Sequence, residues 1–131
     1  MPAMSSGLMA YSVDLDRISS EYTRGECELH GTFLDNRPFC PVYHWWFEEV
    51  DAVLRKLGVT AVRMDDLWMG EESGEEWSKD AVRTAASQAA QVTTEQVDAL
   101  DDHSMRESVH TVLGWVRTAA ERNHGIVGFY H

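Results

Sequence analysis

The spacing of hydrophobic residues along the chain predicts both strands and helices. Near the start, the apolar run GLMAYSV at residues 7–13 is typical of a strand, and Asp14 after it can cap the next element. Residues 41–57 instead repeat apolar side chains at the helical interval, which predicts an amphipathic helix with one buried face. The apolar stripe of this helix comprises Trp46, Val50, Val53 and Leu57.

Helical spacing returns in the second half of the chain. An alanine-rich face predicts a helix over residues 78–91, and a short helical segment is expected over residues 94–100. Further along, Ser104 and Glu107 have the spacing of a capping box, in which each side chain bonds the other's backbone. They are therefore expected to open a helix over residues 105–122.

Further strands and loops are predicted around these helices. Residues 59–64, VTAVRM, predict a second strand, and residues 126–131, IVGFYH, predict a terminal strand after a left-handed Asn-His-Gly stop. Glycine, asparagine and proline interrupt any period over residues 23–43, which predicts a long loop. Residues 71–76 predict an acidic, solvated linker.

Length and charge narrow the class of protein. At 131 residues the chain has the size of one domain, and we expect a single α+β domain over residues 1–131, with a few-stranded sheet and helices packed mainly on one face. Eleven Lys and Arg residues against 22 Asp and Glu residues leave a net charge of −11. Because this charge repels phosphate groups, nucleic acid and membrane surfaces are not expected as partners. It serves either solubility alone or association with a basic protein.

The chain is expected to be cytoplasmic. No apolar stretch approaches the roughly 20 residues that a membrane helix needs, and the first residues lack the basic and apolar regions of a signal peptide. The two cysteines are expected to stay reduced, because reductants in that compartment keep thiol pairs open.

Three segments of the sequence resemble a known group of proteins. They are MAYSVDLDRI at residues 9–18, LRKLGVTAVRMDDLWMG at residues 54–70 and VLGWVRTAAERNHGIVGFYH at residues 112–131. Together they resemble an actinobacterial family of small proteins of unknown function, which opens with Tyr-x-Val-Asp-Leu-Asp and closes on Val-Gly-Phe-Tyr-His. The resemblance supports the domain boundaries and implies no catalytic activity. A looser likeness in layout, to bacterial proteins suspected of immunity roles, is analogy alone.

Residues 27–46 raise the question of a metal site. Their potential ligands, in two close pairs, are Cys27, His30, Cys40 and His44. Thiolate and imidazole are the ligand types that zinc prefers, but the nine residues between the pairs match no common zinc finger. The main expectation is therefore a loop that leads into the helix, with no metal or other cofactor. The four-ligand zinc site is the alternative.

Two groups of residues are candidates for acid–base chemistry. His44 and Glu48 lie four positions apart on the predicted helix, beside Tyr43, so the carboxylate could orient the imidazole as a general base. Asp65 and Asp66 follow the predicted second strand, where burial of one carboxyl group would raise its pKa and provide an acid. The ordinary alternatives are an exposed ion pair and a helix cap.

Two functions are consistent with these observations. The first is a protein-binding module, immunity- or antitoxin-like, that occupies a basic site on a partner protein. Its expected contact residues are Glu71, Glu72, Glu75 and Glu76, with Trp68 and Trp77 exposed beside them.

The second function is a small cofactor-free enzyme. It would hold a small-molecule ligand in an aromatic-lined pocket, with His44 as base and Asp65 or Asp66 as acid. The sequence contains no nucleophile elbow, phosphate loop or dinucleotide fingerprint, so nucleotide-dependent chemistry is not expected.

Overall fold

Strands lie near both ends of the described chain, and most of the helices lie between them. The structure, a computed structural model, describes residues 7–17, 24–40, 42–68 and 75–130. The strands are β1 (Leu8–Val13), β2 (Gly31–Phe33), β3 (Glu75–Trp77) and β4 (Gly125–Tyr130). The helices are α1 (Arg24–His30), α2 (His44–Lys56), α3 (Asp65–Trp68), α4 (Lys79–Ala89), α5 (Thr94–Asp98) and α6 (His103–Glu121), and a one-turn 3₁₀ helix spans Arg37–Phe39.

Strands β1 and β4 form the centre of an antiparallel sheet. The order within the described residues is β2-β1-β4-β3. The two central strands pair from Leu8 opposite Tyr130 to Val13 opposite Gly125, and β3 adds Trp77 opposite Ile126 at the edge. The strands expected at both ends of the chain are therefore confirmed. Their continuous apolar runs suit central strands that are covered on both faces.

Both faces of the sheet are covered, but very unequally. Leu8, Ala10 and Ile126 point into the main core, where they meet the buried faces of α2, α4 and α6. On the opposite face, β1 and β4 contribute a smaller cluster around Cys27 of α1. This cluster contains Tyr11, Val13, Val127 and Phe129. The α+β class with helices mainly on one face is thus the observed architecture.

The expected second strand at residues 59–64 is wrong. The segment is irregular although its apolar side chains are buried in the core. Its backbone N–H groups bond to side chains rather than to a neighbouring strand: Gln88 accepts from Thr60 and Ala61 at 2.9 and 3.0 Å, and Asp51 accepts from Met64 at 2.6 Å. These side-chain acceptors satisfy three of the donors of the segment, and the Val59 N–H donates to the Leu54 carbonyl at 2.9 Å.

Two predicted loops also contain regular structure. The segment 23–43, expected to be irregular, holds α1, β2 and the 3₁₀ turn, while Pro41 lies outside the described residues. Residues 75 and 76 of the expected linker belong to β3, while residues 71–74 lie outside the described residues; Trp77 of this strand is buried and donates its indole N–H to the Arg63 carbonyl at 2.8 Å. Burial of one large side chain with a satisfied polar group fixes this edge strand.

The helix boundaries follow capping chemistry, with one correction. Helices α2, α4, α5 and α6 were all expected from their apolar spacing and are confirmed. The cap of α6, however, is Asp102 rather than Ser104, and its Oδ1 accepts the N–H groups of Ser104 and Met105 at 2.8 and 3.4 Å. Asn123 adopts φ 58° after the helix and confirms the left-handed stop.

Helix α3 packs directly on strand β4 at Gly128. A Cβ atom at this position would lie 2.9 Å from both the Cβ and the carbonyl oxygen of Leu67. Glycine is required here by the close approach of a helix backbone to the sheet.

We expect Gly128→Ala to lower the free energy of unfolding by about 2 kcal/mol, because the added methyl group forces helix and strand apart. Gly114→Ala is the matched control, since a Cβ there meets nothing within 4 Å. It should raise stability by up to about 1 kcal/mol, the difference in helix propensity. Urea denaturation measures both, and a Gly128→Ala chain as stable as the parent would contradict the close packing.

Candidate functional site

A shallow groove follows helix α6 along its exposed side. It consists of three adjoining depressions with volumes of about 510, 420 and 370 Å³. The first two share Arg37, Pro38 and Glu107, and the second and third share Asp35 and His110. The volumes fall within the range of ligand and peptide sites in proteins.

The segment 34–39 forms one wall of this groove because it is fixed to α6. Phe39 packs against Trp115 of α6 and Phe47 of α2, with ring centroids 5.4 and 6.0 Å apart respectively. The indole N–H of Trp115 donates to the Asp35 carbonyl at 2.9 Å. Aromatic packing and one buried hydrogen bond therefore hold the wall in place.

An ion pair lies at the rim where the two largest depressions meet. Arg37 binds Asp35 through both its Nε and its Nη2 atoms, the shortest contact being 2.6 Å. The Arg37 side chain holds the pKa of Asp35 below its usual value, and the carboxylate in turn raises the pKa of Arg37. The positive charge of Arg37 is thus largely matched before any ligand arrives.

Exposed aromatic side chains border the largest depression at the start of α2. Tyr43 and Trp45 are 73% and 53% exposed, and their rings lie parallel, 6.2 Å apart at an angle of 7°. Trp46 stands perpendicular to Trp45 and donates its indole N–H to the Ser108 hydroxyl at 3.0 Å. We call these three side chains, with Pro38 and Val42 of the same depression, the aromatic surface.

Acidic side chains complete the lining of that depression. Asp102, the cap of α6, and Glu107, one turn further along, both contribute to it. Glu107 also lies 3.3 Å from the Nε2 atom of His103. The depression therefore combines aromatic faces with carboxylates, a pairing that attracts cations.

The residues expected to act in acid–base chemistry lie on two different elements. Tyr43 belongs to the aromatic surface, and Glu48 is exposed on α2. The backbone of His44 begins α2, but its side chain lies outside what the structure describes, so its pairing stays a prediction. Asp65 and Asp66 open α3, as half-buried and exposed residues, and line none of the three depressions.

The carboxyl group with a strongly shifted pKa is Asp51, which was not among the residues singled out from the sequence. It is 3% exposed, and burial raises its pKa to about 6 despite hydrogen bonds from the N–H groups of Met64 and Asp65. Its position in the sequence could have identified it. Asp51 lies four residues after Phe47 and three before Leu54, which places it on the buried face of α2. It joins α2 to the start of α3.

The alternative zinc site is not assembled in the described part of the chain. Cys27 is buried in the small cluster under β1 and β4, whereas Cys40 and His30 are exposed. No three His, Cys, Asp or Glu side chains among the described residues are placed to hold a metal ion. The fourth expected ligand, the side chain of His44, lies outside those residues.

The expected acidic contact surface is only partly described. Glu71 and Glu72 lie outside the described residues, as do the side chains of Trp68 and Glu75, while Glu76 is exposed. Trp77 is a correction: it was expected to be exposed but is buried, because its ring belongs to the main core.

A serine and a histidine meet between β1 and β4. The Ser12 hydroxyl and the His124 Nδ1 atom are 2.9 Å apart, and burial lowers the pKa of His124. Ser12 has no exposed surface, so a substrate cannot reach its hydroxyl group. The pair satisfies buried polar atoms and ties the two central strands together.

The chain belongs to the family described as Domain of unknown function (DUF7691), which it matches over residues 26–131. The match covers α2 to α6, the sheet strands β2 to β4 and therefore the whole groove along α6. Comparison with curated proteins gives no match, and comparison with solved structures gives none either. Among the described residues, no helix has the length and apolar character needed to cross a bilayer.

We expect the burial of Asp51 to make stability fall as pH rises from about 4 to about 6. In this window the unfolded chain has released the proton while the folded chain retains it, so deprotonation increasingly favours unfolding. Asn at position 51 cannot titrate, so Asp51→Asn is the reference for this effect. Across this pH window the free energy of unfolding of the parent should fall by up to about 3 kcal/mol more than that of Asp51→Asn, which is the free energy equivalent to raising the pKa from 3.8 to about 6.

The measurement is urea denaturation at several pH values, comparing each variant with the parent. Asp66→Asn is the control, since Asp66 is an exposed carboxylate on the helix that Asp51 contacts. It should leave the pH dependence unchanged. A parent and an Asp51→Asn chain with parallel profiles would show that Asp51 keeps an ordinary pKa.

Proposed function

We propose that this chain is a protein-binding module. The observation that carries the proposal is the exposure of Tyr43 and Trp45 beside an open depression of about 510 Å³. Aromatic side chains of this size gain most when they are removed from water, and Tyr and Trp are enriched among the residues that dominate binding energy at protein interfaces. Trp46 and Phe47, next in sequence, are fixed inside the fold and hold the exposed pair in position.

The partner we propose is a basic protein. The net charge of −11 accelerates association with a positively charged surface and disfavours acidic partners. The proposal also includes the origin, the compartment and the role expected from the sequence. The chain would be an actinobacterial, cytoplasmic protein that acts like immunity or antitoxin proteins by occupying a basic site on its partner. Glu76 is an exposed carboxylate that supports a second acidic contact region, together with Glu71, Glu72 and Glu75.

A small cofactor-free enzyme is the second candidate function. The raised pKa of Asp51, next to Asp65, favours it because a carboxyl group that titrates near pH 6 can donate a proton near neutral pH. Its weakness is access: Asp51 is almost fully buried and lines none of the three depressions. A ligand small enough to reach it would be required.

The binding proposal is tested by affinity purification from the producing cells with quantitative mass spectrometry. We expect one basic protein to be enriched at about 50 mM salt and largely released at about 500 mM, because ion pairing at an exposed surface is screened. Tyr43→Ser combined with Trp45→Ser should reduce its recovery about tenfold or more, the loss typical of a binding hot spot.

Leu29→Ser is the matched control, because Leu29 is also a highly exposed apolar residue and lines none of the three depressions. Recovery of the partner should not change with it. If no basic protein is enriched, this binding function is refuted, whereas equal recovery by the double variant and the parent would exclude Tyr43 and Trp45 as the contact.

A further inference from the structure

The aromatic surface contains two parallel rings that are largely exposed to solvent. At a centroid separation of 6.2 Å and an angle of 7°, the rings of Tyr43 and Trp45 are offset rather than fully overlapped. Both side chains are more than half exposed. A flat group can therefore lie against either ring without any rearrangement of the fold.

The charge around this surface is negative. Asp102 and Glu107 line the same depression, and Glu48 and Glu49 lie three and four residues after Trp45 on exposed positions of α2, which places them on its side of the helix. Both helix-capping bonds of Asp102 use its Oδ1 atom. Asp102 and Glu107 of α6 and two exposed glutamates of α2 therefore give the surroundings of the rings a negative charge.

Positive charge nearby is already engaged. Arg37, the basic residue that lines this depression, is paired with Asp35 on the other side of the rim. Glu107 contributes to the raised pKa of Arg37, but the hydrogen-bonded partner of that guanidinium is Asp35. A cation that enters the depression meets the aromatic faces and Asp102, and it shares Glu107 with Arg37 and with His103, whose Nε2 atom lies 3.3 Å from that carboxylate.

These features distinguish among charged side chains. A guanidinium group is planar, so it stacks on aromatic rings and binds a carboxylate through two parallel N–H groups. An ammonium group is also attracted to aromatic faces, but it has neither the flat shape nor the paired N–H groups. The apolar floor formed by Pro38 and Val42 suits the methylene stem of a long basic side chain. Aspartate and glutamate would be repelled.

Resting on the proposed function, we infer that the aromatic surface, with Asp102 and Glu107, binds an arginine side chain of the basic partner protein. The guanidinium group stacks on Tyr43 or Trp45 while Glu107 accepts its hydrogen bonds. This site is then where an arginine of the partner is recognised, separately from the second acidic contact region.

The test is a titration of the full ¹⁵N-labelled chain, followed through its tryptophan indole N–H signals. The probe is an acetylated and amidated Gly-Gly-Arg-Gly-Gly peptide, compared with the same peptide carrying citrulline, which keeps the shape of arginine without its charge. We expect a saturable shift of the Trp45 signal with a dissociation constant on the order of 1 mM, as befits one stacked ion. The citrulline peptide should bind about fivefold more weakly or worse, because the charge-assisted bonds are lost.

Internal and matched controls define the position of binding. The Trp77 indole is buried and bonded to Arg63, so its signal should not move. Glu107→Gln should weaken binding about threefold, whereas Glu121→Gln, about 20 Å further along the same helix, should leave it unchanged. Trp45→Ala should abolish the shift of the backbone N–H signals around Glu107, and its exposed position leaves the core intact.

Equal shifts with arginine and citrulline, or equal effects of the two glutamate variants, would overturn the arginine site. The two proposals fail separately. A basic partner that binds the Tyr43→Ser and Trp45→Ser double variant as well as the parent would overturn this site. Arginine binding at the aromatic surface, with no basic protein enriched from cells, would support the site and refute the proposed function.

Discussion

Packing of Phe39 between Phe47 of α2 and Trp115 of α6 is the contact on which the groove and the aromatic surface depend. It draws the segment 34–39 against α6, and the Trp115 bond to the Asp35 carbonyl fixes the register of that segment. Arg37 and the neighbouring proline reach the groove only because this wall is held. The same contact positions the first turn of α2, from which the exposed aromatic pair projects. A hydrophobic core interaction thereby determines which polar and aromatic groups meet at the surface.

Polar side chains play a comparable role where the sheet ends and the helices begin. Gln88 accepts the N–H groups of Thr60 and Ala61, and Asp51 accepts those of Met64 and Asp65, so these two side chains replace a neighbouring strand as partners of an irregular segment in the core. This arrangement places α3 against Gly128, where a larger residue would not fit. It also leaves Asp51 as a buried carboxyl group with a pKa of about 6, so the stability of the fold depends on pH. Its hydrogen bonds from the Met64 and Asp65 N–H groups give it a structural role between α2 and α3.

Local periodicity predicted the elements whose burial pattern repeats along the chain, namely β1, β4 and helices α2, α4, α5 and α6. It failed where distant side chains decide the backbone, as at residues 59–64 and at β3, whose formation depends on the burial of Trp77. The candidate site shows the same limit. Tyr43 was identified from its position next to His44, but the groove joins residues 37, 43 and 107, which no local pattern connects. Asp51 alone carried a readable signal, a charged residue within an apolar stripe.

The central claim is that Trp45 lies in contact with a basic partner. Incorporation of a photo-crosslinking phenylalanine derivative at position 45 tests it directly, with position 121 on the exposed end of α6 as reference. The account predicts that position 45 becomes joined to one protein, and that peptide sequencing places the bond within a few residues of an arginine. Crosslinking at position 121 but not at position 45, or a bond at position 45 to a segment without basic residues, would contradict it.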